Sequence, residues 1–215
     1  MKYDTIIFDF DGTLADTQEG VTKGMQKGLA AVGIEESLEV IRGLIGPPLT
    51  VTIQQKYGLS PERAAVTMKI CEDHQLGDGI GQVCLFEGIP ELLSGLKELG
   101  LRLAVATNCP QTTAMGQLAF LRLTDRFDAI QTNNDPQTRG TKTQFVRWAM
   151  EDCGSTPDRC LMVGDRKHDI IGGRENGMDT AAVLYGYGSR EELEGCAPTA
   201  LCATPADLLD FIRNS

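Results

Sequence analysis

Three short apolar segments constrain the fold of this chain most strongly. They span residues 5–10, 101–106 and 160–163, and none shows the apolar–polar alternation of a half-exposed strand. Runs of this kind are typical of strands covered on both faces, as in parallel sheets. Residues 127–131 and 180–184 are weaker candidates of the same kind. We therefore predict a parallel β-sheet whose strands come from distant parts of the sequence.

Helical patterns separate these segments. One helix is predicted over 141–153, where Phe145, Trp148 and Ala149 recur at helical spacing and indicate one apolar face. Strands alternate with such helices from about residue 88 onward. This alternation predicts an α/β fold with a doubly wound parallel sheet of the Rossmann-like type.

The segment from residue 16 to 86 differs from the rest of the chain. It has no convincing strand and predicts several helices, followed by glycine-rich sequence. Because one predicted strand precedes this block and the others follow it, the block is best interpreted as an insertion. The predicted organisation is an α/β core over 1–15 and 87–215, with an inserted helical domain and its hinge segments over 16–86.

Composition limits the partners of the protein. Acidic residues outnumber basic ones by 30 to 20, a net charge of -10 that disfavours binding to a nucleic-acid polymer. No apolar run approaches the roughly 20 residues that span a bilayer, so we predict no membrane partner. Seven scattered cysteines without a CxxC pair are typical of reduced thiols in the cytoplasm. The oligomeric state is not determined by these features.

Two carboxylates lie at the end of the first predicted strand. Asp9 and Asp11 are two residues apart, which in a continued strand places both on one side. The carboxyl edge of an open α/β sheet is where ligands bind. Carboxylates this close repel, so either one keeps a proton or a cation lies between them. The pair alone is equally consistent with an acidic strand end or a calcium-type turn.

Other predicted strand and helix ends add polar groups to the same edge. Thr107 and Asn108 follow the second apolar segment, Asp165 follows the third, and Asp169 lies one helical turn further on. Lys142 lies at a helix start, where its ammonium and the helix N-terminus both favour an anion. Carboxylates suited to a hard cation, together with donors for phosphate oxygens, predict metal-assisted phosphoryl transfer.

These motifs resemble those of the haloacid dehalogenase superfamily of phosphatases, which carry DxDGT, a Thr or Ser, a Lys and GDxxxD. Here they read DFDGT over 9–13, Thr107, Lys142 and GDRKHD over 164–169, in that order. The helical insertion resembles the cap domain of the family, so the resemblance covers nearly the whole chain. The stretch LYGYGSREEL over 184–193 is similar to the phosphoglycolate-phosphatase-like and nucleotidase-like members.

The resemblance implies catalytic roles for four residues. Asp9 would be the nucleophile that forms an aspartyl-phosphate. Asp11 would protonate the leaving group and then accept a proton from water. Thr107 and Lys142 would hold the phosphoryl oxygens and stabilise their charge.

The resemblance also implies Mg²⁺ as the cofactor. Its expected ligands are Asp9, the backbone carbonyl of Asp11, and Asp165, with Asp169 as a further ligand or a support for one.

Four more residues are candidates for the substrate side of the site. Thr13 and Asn108 would orient the nucleophile or the phosphate. Arg42, in the cap, either reaches a substrate carboxylate or phosphate or pairs with an acidic neighbour on the surface. Arg139 is a possible assistant to the lysine of the motif.

The implied function is Mg²⁺-dependent hydrolysis of a small phosphate monoester, such as phosphoglycolate or a nucleoside monophosphate. Dehalogenases and phosphonate hydrolases of the family lack the second Asp that this chain keeps as Asp11. A phosphosugar mutase of the β-phosphoglucomutase type is an alternative, although residues 15–21 lack the His that those enzymes usually carry there. A phosphate-binding protein without turnover is a second alternative.

Overall fold

The computed structural model describes residues 1–45, 49–134 and 140–215. These residues form two compact units. We call Met1–Asp16 together with Leu85–Ser215 the sheet unit, and Thr17–Cys84 the helical unit.

Strands belong mainly to the sheet unit. In chain order they are β1 (Thr5–Phe8), β2 (Ala15–Asp16), β3 (Cys84–Leu85), β4 (Arg102–Pro110), β5 (Ala129–Asn133), β6 (Cys160–Gly164), β7 (Asp179–Val183) and β8 (Ala200–Cys202). Six of them form one parallel sheet in the order β5-β4-β1-β6-β7-β8, and β2 pairs with β3 in a separate two-stranded sheet. The chain winds outward from β1 in both directions, which confirms the predicted doubly wound α/β fold.

Helices make up the helical unit and cover the sheet. In chain order they are α1 (Gln18–Ala31), α2 (Leu38–Arg42), α3 (Leu49–Tyr57), α4 (Pro61–Leu76), α5 (Ile89–Glu98), α6 (Gln111–Phe120), α7 (Lys142–Asp152), α8 (Lys167–Glu175), α9 (Arg190–Glu194) and α10 (Pro205–Arg213). The first four belong to the helical unit, in which α1 packs against α4 around buried Met25, Leu29 and Cys71. Within the described ranges, no helix is both long and apolar enough to cross a membrane.

Helix α7 is fixed firmly on the sheet, which matters for the residue at its start. Phe145, Val146 and Ala149 are buried against side chains of the central strands, including Ile7 and Met162. Each large side chain buried in this way stabilises the fold by roughly 1.5–3 kcal/mol. The helix therefore holds its first residue in a defined place relative to the sheet edge.

Several strands differ from the sequence-based expectation. β4 extends to Pro110 rather than residue 106, β5 spans Ala129–Asn133 rather than 127–131, and the two-residue strands β2 and β3 were not predicted. β1 ends at Phe8 rather than residue 10, because the Phe10 carbonyl accepts bonds from the backbone N–H groups of Thr13, Leu14 and Ala15, and the chain turns. β8 was not predicted, since an edge strand of three residues is too short to show a pattern.

Candidate active site

Asp9 is the first residue beyond β1, and it is buried. Its backbone N–H still donates to the carbonyl of Val163 at 2.9 Å, so the sheet fixes its position. Asp11 lies after the sheet pairing has ended and is half-buried. Gly12 has a φ of +82°, and a Cβ there would lie 2.4 Å from Oδ2 of Asp165. The turn after Asp11 therefore requires glycine for two reasons: the positive φ, and the lack of space for a side chain.

Lys142 joins the first and last acidic motifs. It is the first residue of α7, and its Nζ lies 2.7 Å from Oδ1 of Asp9 and 3.0 Å from Oδ1 of Asp169. The same Nζ donates to the carbonyl of Ala106 at 2.9 Å. Only 7% of the residue is exposed, so the ammonium is buried, and three acceptors surround it.

A capping box sets the start of α7. Thr141 accepts from the backbone N–H of Gln144 at 3.3 Å, and the Gln144 side chain accepts from the backbone N–H of Thr141 at 2.8 Å. These reciprocal bonds satisfy two N–H groups of the first turn and fix where the helix begins.

Asp165, directly after β6, is fully buried and is held by two other segments of the sheet unit. The Thr13 hydroxyl donates to its Oδ1 at 3.0 Å. The backbone N–H of Tyr187 donates to its Oδ2 at 2.8 Å. The first motif and the segment after β7 thus set the orientation of this carboxylate.

Asp169 lies in the first turn of α8 and is also buried. Its Oδ2 accepts from the backbone N–H of Arg166 at 3.0 Å, while Oδ1 faces Lys142. The Arg166 guanidinium is held in turn by Glu192, with donor–acceptor distances of 3.0 and 3.3 Å. Helix α9 therefore holds in place the turn that connects Asp165 to the start of α8.

Asp9, Asp165 and Asp169 form a group that can hold a metal ion. One carboxylate oxygen from each lies within 4.8 Å of the others. When all three are ionised, the Lys142 ammonium leaves two negative charges uncompensated in a buried place. Hard oxygen ligands and excess negative charge are what Mg²⁺ requires, so these residues fit a divalent cation.

The pKa values reflect the same crowding. Burial raises the pKa of Asp9 well above its usual range; Lys142 opposes this, and the neighbouring carboxylates add to it. Burial and the charge of Asp169 raise the pKa of Asp165 to about 7, against the hydrogen bonds it accepts. Burial alone would lower the pKa of Lys142, but Asp169 and Asp9 raise it above its ordinary value. The ammonium therefore stays charged at neutral pH.

The remaining predicted residues fall in three places. Thr107 and Asn108 lie within β4, where its register with β5 is irregular, and the Thr107 hydroxyl accepts from the backbone N–H of Cys109. Arg42 is the exposed last residue of α2, in the helical unit. Arg139 lies outside the described residues.

Four contacts of this site had not been expected from the sequence. They are the Ala106 carbonyl on Lys142, the Tyr187 N–H on Asp165, the Glu192 carboxylate on Arg166 and the Thr13 hydroxyl on Asp165. Of these, only the contact between Tyr187 and Asp165 could have been suspected from the sequence, because the closely spaced glycines of LYGYGS allow a close approach of the backbone.

Comparison with known proteins places these motifs in a family context. The sequence model of the haloacid dehalogenase-like hydrolases matches residues 6–183. A 5'-nucleotidase of Pseudomonas aeruginosa is 37% identical over 215 residues, which is all of this chain and 97% of the relative. The tyrosine-protein kinase PtkA of Mycobacterium tuberculosis is 32% identical over 213 residues, or 98% of this chain and 71% of the relative.

The fold has a similar counterpart among solved structures. A predicted phosphatase from Clostridium acetobutylicum superposes with a TM-score of 0.90 at 32% identity, and the match covers 100% of both chains.

Proposed function

This chain belongs to the haloacid dehalogenase-like hydrolase family, and on that premise we propose that it is a Mg²⁺-dependent phosphatase acting through an aspartyl-phosphate. Its proposed substrate is a small phosphate monoester such as phosphoglycolate or a nucleoside monophosphate. A nucleotide is supported by the name of the Pseudomonas aeruginosa relative.

The observation that carries this proposal is the buried cluster around Lys142. One ammonium contacts Asp9 and Asp169, and both lie within a few ångströms of Asp165. A site that holds one nucleophilic carboxylate beside a fixed cation and two further acidic groups suits transfer of a dianionic phosphoryl group.

In the proposed first step, a carboxylate oxygen of Asp9 attacks phosphorus in line with the leaving oxygen. The new O–P bond forms as the ester O–P bond breaks, and Asp11 gives a proton to the departing alcohol. In the second step, Asp11 accepts a proton from water as the water attacks phosphorus. Cleavage of the aspartyl O–P bond then releases inorganic phosphate and regenerates Asp9.

Other residues act on the charge of the phosphoryl group. Lys142 and Thr107 would donate to its oxygens and offset their charge, with Lys142 giving up one of its present acceptors. Asp9, the Asp11 carbonyl, Asp165 and Asp169 would hold Mg²⁺. Bound there, Mg²⁺ supplies Lewis-acid polarisation of the phosphoryl oxygens.

We also propose that the helical unit is the cap of the enzyme and selects the leaving group. Arg42 is its candidate substrate contact, because it is a cation that is exposed on α2. Thr13 and Asn108 would orient the reacting groups from the sheet unit. None of the seven cysteines, all of which lie in the described ranges, is in a disulfide bond, which supports a cytoplasmic location.

The test is phosphate release from a panel of phosphorylated metabolites, with Mg²⁺ or with EDTA. The panel contains phosphoglycolate, nucleoside monophosphates, sugar phosphates and pyrophosphate. We expect release that requires Mg²⁺ and is lost in Asp9→Asn, because the amide is a poor nucleophile. Asp210→Asn, a change of the same chemistry at an exposed residue, is expected to behave as wild type.

Other outcomes would redirect the proposal. Phosphate release by Asp9→Asn at the wild-type rate would contradict the assignment of Asp9 as the nucleophile. Interconversion of a phosphosugar, without net release, would indicate a mutase. Because one relative is named a tyrosine-protein kinase, a separate arm supplies ATP and a tyrosine-containing peptide. Phosphate or metal binding with no turnover in any arm would indicate a binding protein.

A further inference from the structure

The segment after β7 lies directly against the proposed cation site. Its residue Tyr187 uses its backbone N–H to bond Oδ2 of Asp165 at 2.8 Å. Asp165 is fully buried, and its other oxygen accepts from Thr13 at 3.0 Å. Each carboxylate oxygen thus accepts a bond from a different segment, and the direction of the Tyr187 N–H helps to set the plane of the carboxylate.

The backbone after Tyr187 approaches Asp165 more closely than any side chain would allow. A Cβ on Gly188 would lie 1.9 Å from the Asp165 carbonyl oxygen, far inside van der Waals contact. This contact is with backbone, so the clash could not be relieved by rotating a side chain. The glycine keeps the N–H of the preceding residue within hydrogen-bonding distance of the carboxylate.

The side chain of Tyr187 anchors the same segment at its other end. Its hydroxyl donates to Oδ1 of Asp16 at 2.9 Å, and its ring packs against Phe86 with centroids 6.4 Å apart. Asp16 lies in β2, five residues beyond Asp11. One residue therefore connects the strand after the first acidic motif to a carboxylate of the last one.

We propose that Tyr187 is a positioning residue for cation binding, acting through the hydroxyl–Asp16 bond that holds its N–H on Asp165. The inference rests on the cation site of the proposed function. Groups that orient a metal ligand typically change metal affinity by about 10–100-fold when removed outright. Loss of the hydroxyl alone leaves the N–H in place, so a smaller effect is expected.

Tyr185 supplies a matched control. It belongs to the same segment, and its ring packs on Phe86 with centroids 5.3 Å apart. Its hydroxyl is buried and, within the described part of the chain, has no hydrogen-bond partner. Tyr185→Phe therefore removes the same atom from the same aromatic cluster without removing an anchor.

The experiment measures Mn²⁺ and Mg²⁺ dissociation constants by calorimetry, on the full chain and without substrate. We expect Tyr187→Phe to bind each ion roughly 3- to 10-fold more weakly than wild type, and Tyr185→Phe to match wild type. Thermal unfolding of all variants in EDTA is recorded alongside. A merely structural role for Tyr187 would lower the unfolding temperature and leave the dissociation constants unchanged, which would overturn the proposal.

A second pair of variants tests the backbone approach. Gly188→Ala should weaken ion binding more than Tyr187→Phe does. Gly81→Ala should have no effect, since a Cβ there meets nothing within 4 Å. If Gly188→Ala does not fold, the tyrosine pair still decides the question. Wild-type protein that binds neither ion would overturn the cation site itself; normal binding by wild type and by Tyr187→Phe would overturn only this inference.

Discussion

At the scale of single residues, the site is organised by one charge. Lys142 is the sole cation within ion-pair distance of Asp9 and Asp169 among the described residues, and it also bonds a main-chain carbonyl. Removing it would leave two buried carboxylates without their partner, which is costly in a medium of low polarity. The same ammonium is placed to offset charge on a phosphoryl group held at Asp9.

Replacement of this lysine should therefore destabilise the site as well as slow the reaction, so kcat is compared per folded molecule. We expect Lys142→Met to lower kcat by about 10²–10³-fold, the range found when a group that stabilises transition-state charge is lost. The measurement is steady-state phosphate release on the best substrate of the panel.

Lys97→Met is the control, because Lys97 also pairs with a carboxylate, at 2.6 Å from Asp128, but in a half-exposed place. It should change kcat by less than twofold. A kcat for Lys142→Met within about threefold of wild type would show that the ammonium does not act on the transition state.

At the scale of elements, helix ends decide where the reactive groups lie. α7 and α10 both begin with a capping box, formed by Thr141 with Gln144 and by Thr204 with Asp207. Only α7 carries a reactive residue at its first position. Both helices are thus stabilised by a capping box, but only the box of α7 also positions a residue of the site, Lys142.

This difference predicts separable effects for two identical substitutions. Thr141→Ala and Thr204→Ala should each lower the free energy of unfolding by about 1 kcal/mol, the usual cost of losing a cap. Thr141→Ala should in addition lower kcat several-fold, since the first turn of α7 would fray around Lys142. Chemical denaturation and kcat measured on both variants test this; equal kcat values would contradict it.

At the scale of the whole sheet unit, stability and chemistry lie at opposite ends of the strands. Asp4 precedes β1, whereas Asp9 follows it. The Asp4 carboxylate accepts from Ser155 at 2.6 Å and from Thr5 at 2.8 Å, and it lies 3.1 Å from Arg102. These contacts tie together the starts of strands that are far apart in the sequence.

The contacts of the Asp4 carboxylate should make the free energy of unfolding depend on pH. Burial would raise the pKa of Asp4, but hydrogen bonds from Ser155 and Thr5 and the charge of Arg102 lower it to about 2. Because the folded pKa lies below the unfolded value of 3.8, this contribution is fully present above pH 4 and is lost as the pH falls toward 2.

We therefore expect Asp4→Asn to lower the free energy of unfolding by roughly 1 kcal/mol at pH 7, a value discounted for partial exposure. The difference from wild type should narrow between pH 4 and pH 2.5 in denaturation curves. Activity per folded molecule should not change. A difference that stays constant over this range would contradict the charge-based account.

Much of the fold and part of the site followed from local sequence pattern. Continuous apolar segments predict buried strands because both faces must exclude water, and polar residues at their ends mark the functional edge. Phe145 and Ala149 are buried as the helical spacing predicts. Trp148, which the spacing places on the same face, is 42% exposed and packs edge-to-face on Phe145. How much of the apolar face of a helix the sheet covers is decided only by the tertiary structure.

The sequence by itself determined the order of the motifs, the residue types at the strand ends and the α/β class, since these depend on short-range periodicity and chemistry. Only the tertiary structure decided which distant groups meet. The bonds of Tyr187 to Asp165 and Asp16, of Glu192 to Arg166, and of Lys142 to a main-chain carbonyl depend on sheet order and on the close approach of backbone. Such contacts leave no periodic trace in the sequence, because a main-chain N–H or carbonyl is the same at every residue that carries one.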